Sequence, residues 1–271
     1  MEEKKEESNK ANHTNHINNI NNYKCKGIDY NCDLGQSYGV YQNEKEYELI
    51  DYVSSVNISC GFHSADPLTI RKALRKSKEK NVSIGAHVGF NDIQGFGYRR
   101  MELSESEIES IVIYQIGALK TFAKSEKIEI EHVRLHGAMY QMAQTDYRFA
   151  KAVADAIKKI DKWLIYIAPL GEITERIEEE TDLRIAKELI IDGVYDERLF
   201  LDNRMKLDKE KMIHRVKAYL QHCKIHIMNG DFINIDCDTI HFSDLEVLKK
   251  ASEIIKPISV NYNQVKDSGW V

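Results

Sequence analysis

The 271-residue chain is poor in proline and cysteine, and it lacks a long uncharged apolar run. Its three prolines leave little room for extended linkers, so we expect a domain dense in helices and strands. The five cysteines are scattered without a C-x-x-C pair, which predicts reduced thiols in a cytoplasmic protein. No apolar run approaches the roughly 18 residues that a membrane span needs. The net charge of −5 provides no basic surface for nucleic acid or for a membrane.

Residues 1–26 differ in composition from the rest of the chain. They are charged at the start and then rich in asparagine, with too few apolar side chains to offset the entropy of ordering. We predict a disordered tail there, without the apolar segment of a secretory signal. Residues 27–271 are predicted to form a single domain.

Short apolar runs alternate with helical patterns from Gly27 onward. The predicted strands are Gly27–Cys32, Val56–Cys60, Val82–Ala86, His132–Leu135, Leu164–Ala168, Leu189–Val194 and Thr239–Phe242. Strands that alternate with helices are typical of βαβ units in a parallel sheet. This number of units suits a closed or nearly closed α/β barrel, with a doubly wound open sheet as the alternative. Lys224–Met228 and Phe232–Ile235 additionally predict a small hairpin.

Three helix starts carry capping signals. Asp66 precedes Pro67, which places a cap residue before a proline at the first helical position. Ser104 and Ser243 each stand three residues before a glutamate, which is the pattern of a capping box.

Polar residues lie at the ends of the predicted strands, where parallel α/β folds place their active sites. In chain order they are Asn31, Asp33, Asn57, His63, His87, His136 and His241. Imidazoles with a carboxylate can hold Zn²⁺ or another divalent ion, or they can move protons near pH 7 without a metal. The spacing of these residues along the chain does not distinguish metal binding from proton transfer. Asp33, His63 and His87 are the candidate ligands if a metal is bound.

Two further positions are candidates for the site. The loop after the third predicted strand carries Arg99 and Arg100, and either guanidinium could clamp a carboxylate or a phosphate. A solvated basic loop is the alternative. Gln115 lies on the apolar face of a helix, so it either bonds backbone groups or reaches the site. The chain has no P-loop and no G-x-G-x-x-G segment, so any nucleotide site must be of another kind.

The same segments resemble the motif blocks of the LamB/YcsF family. Asn31–Gly35 looks like its N-x-D-L-G-E block, and Ser55–Pro67 is similar to its S-A-N-I-A-C-G-F-H-A-G-D-P signature. Further blocks match in the right order at Ile84–His87, Gly95–Gly97, Gln115–Leu119 and His136–Tyr140. The resemblance covers about residues 27–255 and is strongest from 29 to 147.

This resemblance implies a fold and a function. The fold would be the seven-stranded parallel β/α barrel of the glycoside hydrolase/deacetylase type. The function would be that of the A subunit of an ATP-dependent 5-oxoprolinase, which opens 5-oxoproline (pyroglutamate) to L-glutamate together with subunits B and C. ATP would be the cosubstrate, and a divalent metal is a further candidate. The implied catalytic residues are Asp33, His63, His87 and His136. The implied substrate-binding or phosphate-binding residues are Asn31, Asn57, Arg99, Gln115, Arg134 and Tyr140.

Several positions depart from the family blocks. Gln36 replaces the glutamate after D-L-G, Arg134 replaces the lysine of K-P-H-G, and Tyr98 replaces the arginine of G-F-G-R. The E-x-F-A-D-R and H-G-D blocks are matched only weakly, at Phe200–Arg204 and His241–Asp244. Two alternatives therefore stay open. One is a metal-dependent hydrolase or deacetylase of the same barrel class, and the other is a non-catalytic relative that binds partner subunits or a small acid.

Overall fold

The computed structural model describes residues 28–254, apart from the side chains of Asn203 and Arg204. The predicted tail at residues 1–26 lies outside the described residues. The strands are β1 (Asp29–Leu34), β2 (Ser55–Ser59), β3 (Ser83–Val88), β4 (His132–Leu135), β5 (Ile165–Pro169), β6 (Arg184–Ile190), β7 (Gly193–Tyr195), β8 (Leu201–Lys206), β9 (Lys224–His226), β10 (Phe232–Asn234) and β11 (Thr239–His241). A 3₁₀ helix (Glu44–Tyr52) precedes α1 (Pro67–Glu79), α2 (Glu105–Ser125), α3 (Gly137–Thr145), α4 (Tyr147–Ile160), α5 (Glu172–Thr181), α6 (Lys209–His222) and α7 (Leu245–Ile254).

Seven of these strands close into a barrel, in the order β1-β11-β6-β5-β4-β3-β2. Every neighbouring pair in the barrel is parallel. The seven-stranded parallel barrel predicted from the sequence is therefore confirmed, and the open-sheet alternative is wrong. The predicted hairpin is also confirmed, because β9 and β10 pair in antiparallel fashion outside the barrel. Among the helices between residues 28 and 254, none combines the length and apolar character that a membrane span requires.

The predicted strand Leu189–Val194 is wrong in its position. The barrel strand is β6, which begins five residues earlier at Arg184 and ends at Ile190. Val194 belongs instead to β7, which pairs with β8 outside the barrel. The cause is the charge of Arg184, Lys187 and Glu188, which interrupts the apolar run by which strands are recognised.

Two of the predicted helix caps are confirmed. The Asp66 carboxylate accepts hydrogen bonds from the backbone N–H groups of Leu68 at 3.0 Å and Thr69 at 2.8 Å. Ser104 and Glu107 form the reciprocal bonds of a capping box at the start of α2. These caps satisfy backbone donors that the first turn of a helix leaves without intrahelical partners.

The capping box predicted at Ser243 is wrong. Its neighbour Asp244 accepts from the backbone N–H groups of Glu246 at 2.9 Å and Val247 at 3.0 Å, and therefore caps α7. The Ser243 hydroxyl instead donates to Asp192 at 3.2 Å. The serine has a partner at the mouth of the barrel, which leaves the cap position to the aspartate.

The barrel strands carry mainly polar side chains inside and apolar side chains outside, and Ile165, Ile167 and Ala186 form a small separate apolar cluster in register with the inward residues of β4. In β1, for example, Tyr30, Cys32 and Leu34 are fully buried against the helices, while alternate residues point to the barrel axis. The inward side chains that hydrogen-bond across the barrel include Asp29, Asn31, Asp33, Asn57, His132, Arg134, Glu188, Thr239 and His241. The apolar core therefore lies between barrel and helices, and the interior differs from the branched apolar layers usual in eight-stranded barrels.

A close approach inside the barrel makes Gly85 sensitive to substitution. A Cβ atom at Gly85 would lie 2.1 Å from Cδ2 of His132. We expect Gly85→Ala to lower the free energy of unfolding by about 1–3 kcal/mol through overpacking. Gly117→Ala is the matched control, because nothing lies within 4 Å of a Cβ at this position in α2. Alanine there should stabilise by up to about 1 kcal/mol. Urea denaturation measures both changes, and equal losses would contradict the packing argument.

Candidate functional site

Asp33, near the carboxyl end of β1, is the centre of a charged cluster. Arg134 Nη1 lies 3.3 Å from each Asp33 carboxylate oxygen, and His87 Nε2 lies 3.1 Å from Oδ2. Asn57 donates to Oδ1 at 3.0 Å, and His241 Nε2 lies 3.6 Å from Oδ2. Burial alone would raise the pKa of Asp33, but Arg134 and the histidines hold it well below its usual range. Asp33 is therefore ionised at neutral pH, and its oxygens are already engaged.

Arg134 bridges two buried carboxylates. Its Nε lies 2.7 and 3.0 Å from the two Glu188 oxygens, while Nη1 bonds Asp33. The guanidinium also stands over the ring of Tyr140, at 5.2 Å from its centroid. Burial would lower the pKa of Arg134, but the two carboxylates raise it above its ordinary value. The cation is therefore a fixed part of the site, and an arginine fork suits the bridging role better than an ammonium.

Three histidines form a compact group beside Asp33. The rings of His63 and His136 stack with their centroids 4.0 Å apart, and His87 stands edge-on to both. His136 Nε2 lies 2.7 Å from the carbonyl oxygen of Phe96, so this nitrogen carries the proton. His136 Nδ1 can then accept from His87 Nε2 at 3.0 Å. His63 Nε2 lies 3.0 Å from the hydroxyl of Ser59.

Two of these histidines are held neutral. Burial lowers the pKa of His136 to about 3, and the neighbouring His87 adds to the effect. Burial also lowers the pKa of His63 well below its usual value, again with help from adjacent histidines. A neutral imidazole can accept a hydrogen bond or bind a metal ion, but one with so low a pKa is a weak base at pH 7.

The histidine group has the donor set of a metal site. Ligand nitrogens of His63, His87 and His136 lie within 4.8 Å of one another. The Nδ1 atoms of His63 and His87 are buried without a hydrogen-bond partner among the described residues. Nitrogens of this kind suit Zn²⁺ and related divalent ions. The predicted ligand set was Asp33, His63 and His87. The group with ligand-like spacing in the structure contains His136 in place of Asp33.

Asn31 and Asn57 support the cluster from inside the barrel. Asn31 accepts from Asn57 at 2.9 Å and from His241 at 2.8 Å, and it donates to Glu188 at 3.0 Å and Thr239 at 2.7 Å. Both asparagines are fully buried. These contacts link four barrel strands and hold Asp33 and Arg134 in place from below.

Gln115 and Arg99 do not join the cluster. The Gln115 side-chain amide accepts from the N–H of Gly89 at 3.0 Å and donates to its carbonyl at 2.9 Å. Of its two predicted roles, Gln115 therefore has that of bonding backbone groups, just after β3. The Arg99 guanidinium pairs with Asp92 seven residues earlier, and its side chain is 61% exposed. Arg99 therefore stabilises its own loop in this structure, and its predicted role as a phosphate clamp stays a prediction.

Two cavities flank the charged cluster. We call the first the Asp33 cavity. It measures about 280 Å³, and its lining includes Asp33, Gln36, Glu46, His241 and Asp244. The second, the Tyr98 cavity, measures about 320 Å³ and includes Tyr98, Arg100, Gln141, Phe200 and Asp202. The Tyr98 ring lies 5.2 Å from the His136 ring, so this cavity adjoins the histidines. Each cavity therefore borders one part of the cluster, and each is large enough for a small molecule.

The chain matches the model of the LamB/YcsF family over residues 28–267. It belongs to the LamB/YcsF family. It is 39% identical over 251 residues to the 5-oxoprolinase A subunit of Natranaerobius thermophilus, and the match spans 90% of this chain and 98% of that protein. The 5-oxoprolinase A subunit of Pyrococcus abyssi is 36% identical, over 84% and 92% of the two chains. The crystal structure of a lactam utilization protein from Thermus thermophilus superposes with a TM-score of 0.78 at 31% identity, covering 90% and 98%.

Glu188 is a site residue that the sequence analysis missed. Together with Asp192 it reproduces the spacing between the glutamate and the aspartate in the E-x-F-A-D-R block of LamB/YcsF proteins. The weaker match at Phe200–Arg204 falls instead on β8 and the residue before it, outside the barrel. The four-residue separation of Glu188 and Asp192 could have identified this block from the sequence. It was overlooked because Arg184, Lys187 and Glu188 interrupt the apolar pattern of β6, so the predicted strand began after Glu188.

Proposed function

We propose that this chain is the A subunit of an ATP-dependent 5-oxoprolinase, which opens 5-oxoproline to L-glutamate together with partner subunits B and C. The observation that carries the proposal is the convergence of an ionised Asp33, a bridging Arg134 and a group of three histidines at the carboxyl ends of parallel strands. The relatives named as 5-oxoprolinase A subunits support the choice of substrate. We also propose a single domain over residues 27–271 and a cytoplasmic location.

The chemistry of a lactam explains why such a site is needed. An amide carbonyl is a poor electrophile, and ATP, when bound, supplies a phosphoryl group that makes its carbon easier to attack. The protein must then orient water, remove its proton and stabilise the charge that develops. We propose that His63 and His136 exchange their present hydrogen bonds, to Ser59, His87 and the Phe96 carbonyl, for hydrogen bonds to the reacting groups of the substrate. Asp33 would keep His87 oriented, and Arg134 would fix Asp33.

A coupled assay tests this proposal. The purified chain is combined with subunits B and C of a relative, and glutamate release from 5-oxoproline is measured with and without ATP. We expect release that requires ATP, all three subunits and 5-oxoproline. A mixture that stays inactive, while the relative's own A subunit works with the same partners, would overturn the proposal.

A second candidate function follows from the histidine group alone. The spacing of His63, His87 and His136 favours a metal-dependent hydrolase of the same barrel class. That function predicts about one bound divalent ion per chain, measured by elemental analysis after dialysis against Zn²⁺ or Mn²⁺. The ion should be lost in His87→Ala, and amide hydrolysis should proceed without ATP. Strict dependence on ATP in metal-free protein would exclude this candidate.

A further inference from the structure

Glu46 is a buried carboxylate at the mouth of the barrel. It lies in the 3₁₀ helix and is 5% exposed. Its Oε1 accepts from the backbone N–H of Gly35 at 2.7 Å, and its Oε2 accepts from that of Gln36 at 3.0 Å. Gly35 has a φ of +77°, which favours glycine and directs both N–H groups to the carboxylate. The residue thus sits beside position 36, where the family block has a glutamate and this chain has glutamine.

Glu46 and Asp33 line the same cavity but differ in their electrostatic surroundings. Burial raises the pKa of Glu46 to about 7, and the nearby anions Asp33 and Glu44 add to the effect against the two backbone N–H groups. Asp33, by contrast, is held ionised by Arg134 and the histidines. Two carboxyl groups whose pKa values are pushed apart in one site commonly divide acid and base roles between them.

The other groups near the cavity are poorly suited to take a proton at neutral pH. Arg134 and the histidines hold the pKa of Asp33 well below its usual range against the effect of burial, so its carboxylate is a weak base. Burial lowers the pKa of His241, so this imidazole is also a weak base. Glu46 is the group of the Asp33 cavity whose environment matches the demands of a general base.

We propose that Glu46 is a further catalytic residue, the carboxylate that accepts a proton from the water attacking the lactam carbon in the Asp33 cavity. As the water oxygen bonds to the carbon, one of its O–H bonds breaks and the proton passes to a carboxylate oxygen of Glu46. When the ring C–N bond breaks, the same proton goes to the departing nitrogen and Glu46 is ionised again. The new hydroxyl gives its proton to the same nitrogen as it becomes a carbonyl, and the acyl phosphate that remains is hydrolysed by a second water to L-glutamate and inorganic phosphate. This inference rests on the proposed 5-oxoprolinase function, with ATP as the source of the activating phosphoryl group.

Several charged groups near Glu46 could also contribute to the pH dependence of kcat/KM. The cavity and its surroundings contribute Asp33 from β1, Glu44, Lys45 and Glu48 from the 3₁₀ helix, and His241 and Asp244 at the end of β11 and after it. Asp33 and His241 have pKa values lowered by their surroundings, so neither is expected to titrate near pH 7. A transition near that pH is therefore assigned to Glu46 and is tested by removing it.

The experiment compares Glu46→Gln with wild type in the assembled three-subunit enzyme. A glutamine oxygen can still accept from Gly35 and Gln36, so the turn is kept while the proton acceptor is lost. We expect kcat/KM of wild type to rise with pH through about 7, and Glu46→Gln to lose roughly 10²–10⁴-fold together with that rise. Asp51→Asn is the control. Asp51 is exposed on the same helix and pairs with Lys80, and the activity of this variant should stay within about twofold of wild type.

A stability measurement separates proton transfer from a structural role. Because the folded-state pKa of Glu46 is raised, the wild type should lose stability relative to Glu46→Gln as pH rises from about 4.5 to about 7. Unchanged kcat/KM in Glu46→Gln would overturn the inference and leave the proposed function standing. A loss of activity that is equal at every pH and accompanied by a lower Tm would also overturn it, in favour of a positioning role. A wild type without turnover would remove the proposed function, and this inference with it.

Discussion

Arg134→Met is expected to lower the free energy of unfolding by about 3–5 kcal/mol, because it leaves buried carboxylates without their cation. Glu188 is fully buried and Asp33 is 12% exposed, so water can replace little of what the guanidinium provides. Methionine has a similar length, which limits the contribution of lost packing. Urea unfolding at pH 7, followed by circular dichroism, measures the change.

Two further variants isolate the charge. Arg134→Lys keeps the cation but not the planar fork that reaches both Glu188 and Asp33, so we expect a smaller loss than for methionine. Adding Glu188→Gln to Arg134→Met removes one of the unpaired carboxylates and should recover part of the loss. If methionine costs less than about 1 kcal/mol, the ion-pair network does not hold the barrel together in the way described.

His136→Ala is expected to reduce kcat/KM for ATP-dependent glutamate release by roughly 10²–10⁴-fold. His136 stacks on His63, bonds His87 and lies next to the Tyr98 cavity, so its loss removes a donor and an acceptor from the centre of the site. Steady-state assays of the three-subunit enzyme measure the change.

The controls for His136 test whether the effect is local. His136→Gln can still donate to the Phe96 carbonyl and should preserve Tm, but it should not restore full activity. His214→Ala removes an exposed histidine of α6 and should leave the rate unchanged. Retention of more than about one tenth of the activity in His136→Ala would remove His136 from the catalytic residues.

The strand ends of this barrel could be predicted because parallel strands bring their carboxyl ends to one edge. That rule places Asp33, His63, His87 and His136 among the residues expected at one edge, and the structure brings all four together. Their separation along the chain, over more than 100 residues, did not matter, since the βαβ order determines which ends meet.

The parts that escaped prediction depend on partners that a linear pattern does not show. Glu188 is tolerated inside a strand because Arg134 and Asn31, on two other strands, bond its carboxylate. Glu46 is buried because the turn after β1 provides two backbone N–H groups to its carboxylate. The periodicity of apolar residues in the sequence gives no indication of this contact. Arg99 was expected at the site, but Asp92, close to it in sequence, binds its guanidinium first.

Two departures from the family blocks are compatible with the geometry of the site. Arg134 uses its fork to reach two carboxylates, and Tyr98 packs against His136. Gln36 is the remaining departure, and its backbone N–H still bonds a carboxylate, that of Glu46.

The polar interior of the barrel has a consequence for how such proteins diverge. The polar inward side chains share hydrogen bonds with neighbours on other strands, so a single exchange among them leaves a buried donor or acceptor unmatched, at a cost of about 1–3 kcal/mol. Exchanges there are expected to become established as compensating pairs, whereas loop positions such as 36 and 98 can change one at a time. New substrate preferences should therefore arise first in the loops, with the inherited interior left almost untouched.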